Sequence, residues 1–179
     1  MQQEANSNHS FPIADIDSNL AICGTVTNRS GGHQHNSASQ VMNRNPKWAE
    51  FVRSIENWDR VELGTLTLDG CSPLPNAALD HHAAIATEPS PDTLFDDPTY
   101  IRLMVKRGER RFYRGIAKSL KSSCRVLVSQ QRNPACNHRL EIYASRKLRT
   151  ALDVMDGDRV CVEIDQNQNR GVTPVDRNG

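Results

Sequence analysis

The sequence has no apolar run near the roughly 20 residues that a membrane-crossing helix needs, which predicts a soluble protein without a membrane partner. It also lacks a surplus of either charge: 22 basic residues stand against 21 acidic ones, a formal net charge of +1. Generic nucleic-acid and membrane-surface binders depend on a field of one sign, so this balance argues against both, although it leaves room for a local basic patch. The five cysteines are Cys23, Cys71, Cys124, Cys136 and Cys161. No two have the close spacing of a zinc knuckle or a redox dithiol. Their odd number, with no secretory leader, predicts reduced thiols and a cytoplasmic location. There is no internal repeat.

What is present fits one domain with a modest core: 179 residues, 37% hydrophobic and 24% charged. Residues 1–19 and 166–179 are polar, without a sustained period, and are expected to be disordered tails. The domain is expected between residues 20 and 165.

Within it the periodicity is mostly that of strands. Leu20 to Thr27 is a short β segment, followed by a polar, glycine-bearing loop. Asn45-Pro46 offers a cap with proline at the first helical position. Trp48, Phe51, Val52 and Ile55 then fall on one helical face, and the helix should end between Asn57 and Asp59. Arg60 to Leu68 alternates with a phase switch: Val61 and Leu63 keep one phase, Leu66 and Leu68 the other. A β-bulge at Gly64 would restore the phase and project Thr65 and Thr67 together from the face opposite the leucines. Cys71 to Pro98 carries most of the prolines and is expected to be a long surface loop with one short helical turn at most. Tyr100 to Val105 and Arg111 to Ala117 are expected to form a hairpin around Gly108. Arg125 to Ser129 and Leu140 to Ala144 are further strands, Ser145 is a candidate cap for a short helix through Leu152, and Arg159 to Ile164 is the last strand. The pattern predicts an all-β fold with minor helical content, a single small barrel with long loops.

The segment LEIYASRKLRTALDVMDGDRVCVEI, Leu140 to Ile164, holds the most chemistry. Arg146, Lys147 and Arg149 crowd a helix start, where cations are unfavourable unless an anion is present. Backbone N–H groups with those cations suit a phosphate; the plain alternative is solvated surface charge. His33 and His35 read as part of a flexible polar loop, and Trp48 and Phe51 as core. The run Lys106, Arg107, Arg110, Arg111, Arg114 reads as a charged turn and outer strand face.

This carboxy-terminal segment resembles the signature of the archaeal-type, CTP-dependent riboflavin kinases: an acidic residue, a short alanine-containing link, an x-K-L-R helix and a L-x-D-G-D turn. RVELGTLTL resembles that family's G-T-L-N strand, and ICGTVTNRSGG its amino-terminal strand and glycine loop, in the same order. The resemblance implies a cradle-loop β-barrel that transfers the terminal phosphoryl group of CTP to riboflavin, making FMN, with Mg2+. It implies nucleotide contacts from Arg29, Ser30, Gly31, Gly32, His33 and Gln34 together with Arg146, Lys147, Leu148 and Arg149. Magnesium would lie at Thr65 and Thr67, with Thr67 standing where the family has asparagine. Glu141 would meet the acceptor hydroxyl, and the family's flavin-side threonine falls at Asn133 or Arg132. The glycine loop departs from the family at Arg29 and His33. The helix and D-G-D block also resembles swapped-hairpin barrels of transcriptional regulators, which leaves a non-catalytic DNA-binding protein, or a kinase of another small alcohol, as alternatives. The oligomeric state is not fixed by the sequence.

Overall fold

The computed structural model describes residues 20–27, 45–59, 66–133, 135 and 137–165. The expected tails, the glycine loop from Arg29 to Gln34, Thr65 and the bulge expected at Gly64 lie outside these residues.

Alternating apolar residues draw six strands into a closed antiparallel barrel. They are β1 (Ala21–Thr27), β2 (Leu66–Ser72), β4 (Arg110–Lys118), β5 (Ser123–Gln131), β6 (Leu140–Tyr143) and β7 (Arg159–Ile164). The order around the barrel is β4-β5-β6-β2-β1-β7, closed by pairing of β7 with β4. A two-residue strand, β3 (Ala86–Thr87), adds to β4 outside the ring. Ile22, Val26, Leu66, Leu68, Val126, Val128, Leu140, Ile142, Val160, Val162 and Ile164 fill the interior. A small barrel whose inward positions are all side chains has no room for a ligand along its axis, so a site has to lie on its outer face or at a rim.

Helices cover part of that outside. Helix α1 (Pro46–Glu56) starts at Asn45 with proline in its first turn and stops at Asn57, whose left-handed conformation (φ 51°) closes the last turn, as its sequence signals require. Its Trp48 and Val52 pack with Leu94, Phe95, Met104, Phe112, Leu127 and Tyr143 in a second apolar cluster on the outer face of β4, β5 and β6. Trp48 meets Tyr143 edge-on at 5.9 Å, and Phe51 meets Phe112 at 5.7 Å. Short helix α5 (Leu148–Leu152) closes one end of the barrel by burying Leu148 and Leu152. Hydroxyls of the β4–β5 turn hold it there, with Ser119 donating to Leu152 O and Ser122 to Ala151 O.

Several expectations are corrected. Tyr100 to Val105 is not a strand but part of helix α4 (Pro98–Arg107), so no hairpin forms at Gly108, which ends that helix at φ 76°. The deciding signals are Asp97, whose carboxylate accepts from Thr99 N at 2.8 Å, and Pro98 at the first helical position. Strand β4 begins only at Arg110. The Cys71 to Pro98 stretch is more ordered than a loop: Cys71 and Ser72 complete β2, followed by α2 (Pro75–Leu79), β3 and α3 (Pro91–Leu94). Its Leu79, Leu94 and Phe95 are buried, and apolar burial of this kind is what fixes a polar-looking connection. Ser145 does not cap α5; Lys147 holds that position, without a side-chain hydrogen bond.

The cysteines are not all free thiols. Cys23 and Cys161 form a disulfide across β1 and β7, while Cys71 and Cys124 are free and buried; Cys136 lies outside the described residues. Backbone bonds from Val26 N to Asp158 O and from Ile164 N to Leu20 O mark the hydrogen-bonded pairs of this ladder. Counting in twos, Cys23 and Cys161 form a non-hydrogen-bonded pair, where facing residues come closest; their Cα atoms are 3.9 Å apart. At a sequence separation of 138, spacing carries no trace of this juxtaposition.

Candidate functional site

Strand direction brings the described ends of the three sequence blocks, at Thr27, Leu66 and Ser145, to one end of the barrel. Thr27 ends β1 opposite Thr67 near the start of β2, and Leu66 faces Ile142 near the end of β6. The chain therefore enters and leaves the described strands at the same end as residues Ser145 to Leu152. Arg146 and Lys147 are exposed there and make no ion pair with the described residues, whereas Arg149 is 2.5 Å from Asp156. Leu148 is 1% exposed in the barrel core, so only its backbone is available to a ligand.

The alternation that buries Leu66, Leu68, Leu140 and Ile142 turns Thr67 and Glu141 outward. They face each other across β2 and β6. The row continues to Ser129 on β5 and to Thr27 on β1, so three hydroxyls and one carboxylate lie side by side across four strands. Beside them Asp69 meets Arg139 at 3.7 Å and His138 at 3.2 Å. Asn133 is placed elsewhere: it follows β5 in the β5–β6 connection, at the opposite end from Arg146, and its side-chain oxygen accepts from Ala135 N.

Behind Glu141 is a buried polar chain that nothing in the sequence singled out. Tyr143 Oη donates to Glu141 Oε2 at 2.9 Å and accepts from Arg110 Nη1 at 3.2 Å. Arg110 Nη1 is 3.6 Å from the same carboxylate oxygen, and Arg110 Nε is 3.9 Å from Glu88 Oε2. Glu88 Oε1 accepts from the Trp48 indole at 2.6 Å, and the Arg110 guanidinium sits over the Trp48 ring at 5.7 Å. Burial pushes the Tyr143 phenol well above its ordinary range, reinforced by the Glu141 charge and opposed by Arg110, so it remains a donor. Burial alone would lower the Arg110 pKa, but Tyr143, Glu141 and Glu88 outweigh it and keep the guanidinium charged. The one available sequence signal was that Glu141 and Tyr143 share an outward phase; Glu88 and Arg110 are too remote in sequence to be linked to them.

Among the described residues, three buried side-chain atoms lack a hydrogen-bond partner: Thr27 Oγ1, Arg110 Nε and Arg139 Nε. Buried polar atoms are nearly always paired in a finished structure. Thr27 adjoins Thr67 in the row, Arg110 contacts Glu141, and Arg139 precedes it by two residues on the same face. The unsatisfied hydrogen-bonding capacity thus collects around Thr67 and Glu141.

The basic stretch from Arg102 to Arg114 is not a continuous cationic face. Arg111 pairs with Glu109 and Arg114 with Glu56 at 2.7 Å, while Arg110 is buried between Glu88 and Glu141. Among the described residues no helix is long and apolar enough to cross a membrane, and no three His, Cys, Asp or Glu side chains converge as metal ligands. No protein-family profile matches the sequence, and no curated protein matches it.

Proposed function

We propose that this chain is a phosphotransferase of the CTP-dependent riboflavin kinase type, moving the terminal phosphoryl group of CTP onto the 5′-hydroxyl of riboflavin to form FMN. The observation that carries this reading is the cross-strand pair of Thr67 and Glu141 on the outer face, at the barrel end that also presents Arg146 and Lys147. Phosphoryl transfer asks mainly for positioning and for charge stabilisation, with one group to orient the attacking oxygen. Glu141 supplies the orienting carboxylate, with its side chain 38% exposed. Arg146 and Lys147 supply cations that no acid among the described residues neutralises.

Magnesium takes hard oxygen ligands and retains several waters. The Thr67 hydroxyl suits it, and Thr27 Oγ1, opposite it on β1 and without a hydrogen-bond partner among the described residues, is a further oxygen donor. When bound, the ion would offset charge developing on the transferred phosphoryl oxygens.

Thermal shift tests this reading directly. CTP with magnesium, and riboflavin, are each expected to raise the melting temperature, since a ligand at a hundredfold its Kd adds about 2.7 kcal/mol. Stabilisation by duplex DNA, with none by CTP or riboflavin, would replace the kinase reading with the regulator reading.

A further inference from the structure

The Glu141 carboxylate is restrained at one oxygen. Tyr143 donates to Oε2, and the Arg110 guanidinium lies closest to that same atom. Oε1 makes no hydrogen bond with the described residues, and the side chain is partly open to solvent. Tyr143 itself is fixed, 1% exposed with its ring against Trp48 and Phe112. Arg110 is fixed by burial, by the Trp48 ring and by Glu88, which the Trp48 indole restrains in turn. We propose that Arg110 and Tyr143 are positioning residues for Glu141: they hold Oε2 and leave Oε1 aimed at the hydroxyl of the phosphoryl acceptor.

This assignment rests on the phosphotransferase reading and names the parts that make its carboxylate effective. A buried cation flanked by two carboxylates is often just a structural clamp. Here the two acids differ: Glu88 is 8% exposed at its side chain and Glu141 38%. One acid left at the surface, tethered by a single oxygen, is what a preoriented reacting group requires.

The test is steady-state FMN formation by the full chain, as parent, Tyr143→Phe, Glu141→Gln and the double variant. Tyr143→Phe removes only the hydroxyl from a packed ring. It is expected to lower kcat about tenfold or more while KM for riboflavin stays within about threefold. In the Glu141→Gln background it is expected to cost little further, because residues acting through one another are not additive. Glu88→Gln, which retains the Trp48 contact and loosens Arg110, is expected to give a smaller fall in kcat. It serves as the reporter should Tyr143→Phe fail to fold. Parental kcat in Tyr143→Phe overturns the assignment, or in Glu88→Gln where that variant is the reporter. Losses that simply multiply in the double variant overturn it too, since they show Tyr143 acting independently of Glu141. Absence of FMN from the parent itself removes the phosphotransferase reading and the assignment with it.

Discussion

Thr67 and Glu141 lie directly opposite each other on β2 and β6, both turned away from the barrel core. Sequence alone separates them by more than seventy positions, and it is the antiparallel register that unites them. If they form one site, Glu141→Gln should retain the fold and bind riboflavin while turnover falls by about 10²-fold, the low end of general-base effects. A loose transition state needs little proton removal from the attacking hydroxyl. Unchanged FMN formation in this variant would leave Glu141 as a surface partner of Arg110.

Arg146 and Lys147 are exposed and without acidic partners among the described residues, while Arg149 is engaged by Asp156. Replacing Arg146 and Lys147 by Ala should each weaken CTP binding by about 1.5–3 kcal/mol, the range for a charge-assisted contact. Arg149→Ala should weaken it less. Titration calorimetry with CTP and magnesium measures all three.

The Cys23–Cys161 disulfide ties β1 to β7 at a sequence separation of 138. Its removal by Cys161→Ser, or by a strong reductant, should cost about 2–4 kcal/mol. The check is denaturant unfolding, with mass spectrometry after alkylation of the unreduced, unfolded chain: Cys23 and Cys161 should be unlabelled.

Gly115 sits where β4 is paired with both β5 and β7. A Cβ there would come within 2.7 Å of Glu163 O and 3.1 Å of Val162 Cγ1, so backbone would have to move at the seam that closes the barrel. Gly115→Ala should destabilise the protein by about 1–3 kcal/mol, the cost of overpacking, read as a shift of the denaturation midpoint.

Alkaline pH should act through Tyr143 and Cys71. Both are held above their ordinary values chiefly by burial, Cys71 at about 11. A group whose proton is held more tightly in the folded state adds stability that is intact below its unfolded pKa and is lost as pH rises above it. Stability should therefore decline from about pH 9 upward, first through Cys71 and then through Tyr143. Cys71→Ala should flatten the early part of that decline.

The barrel was legible because its strands alternate cleanly: Val160, Val162 and Ile164, or Leu66 and Leu68, declare their faces without tertiary help. Helix α1 was legible through Asn45-Pro46 and the spacing of Trp48 and Val52. Tyr100 to Val105 misled because a β-branched and aromatic run suits either period, and Asp97-Pro98, the signal that decides, lies just outside it. The Cys71 to Pro98 stretch misled because its helices are only one turn long and are held by Leu79, Leu94 and Phe95, not by propensity. Of the candidate site, sequence supplied Thr67, Glu141 and the cations before α5. It could not supply Arg110, Glu88 or Tyr143, whose meaning depends on which outer face α1 and β3 cover. The disulfide was hidden for the same reason, since register alone brings Cys23 to Cys161.

The most direct measurement is chemical. Purified protein is incubated with riboflavin, magnesium and each nucleoside triphosphate in turn, and the flavin products are separated by chromatography. FMN is expected, formed fastest with CTP and lost when magnesium is chelated. No FMN with any triphosphate, from protein shown by its melting transition to be folded, would contradict it.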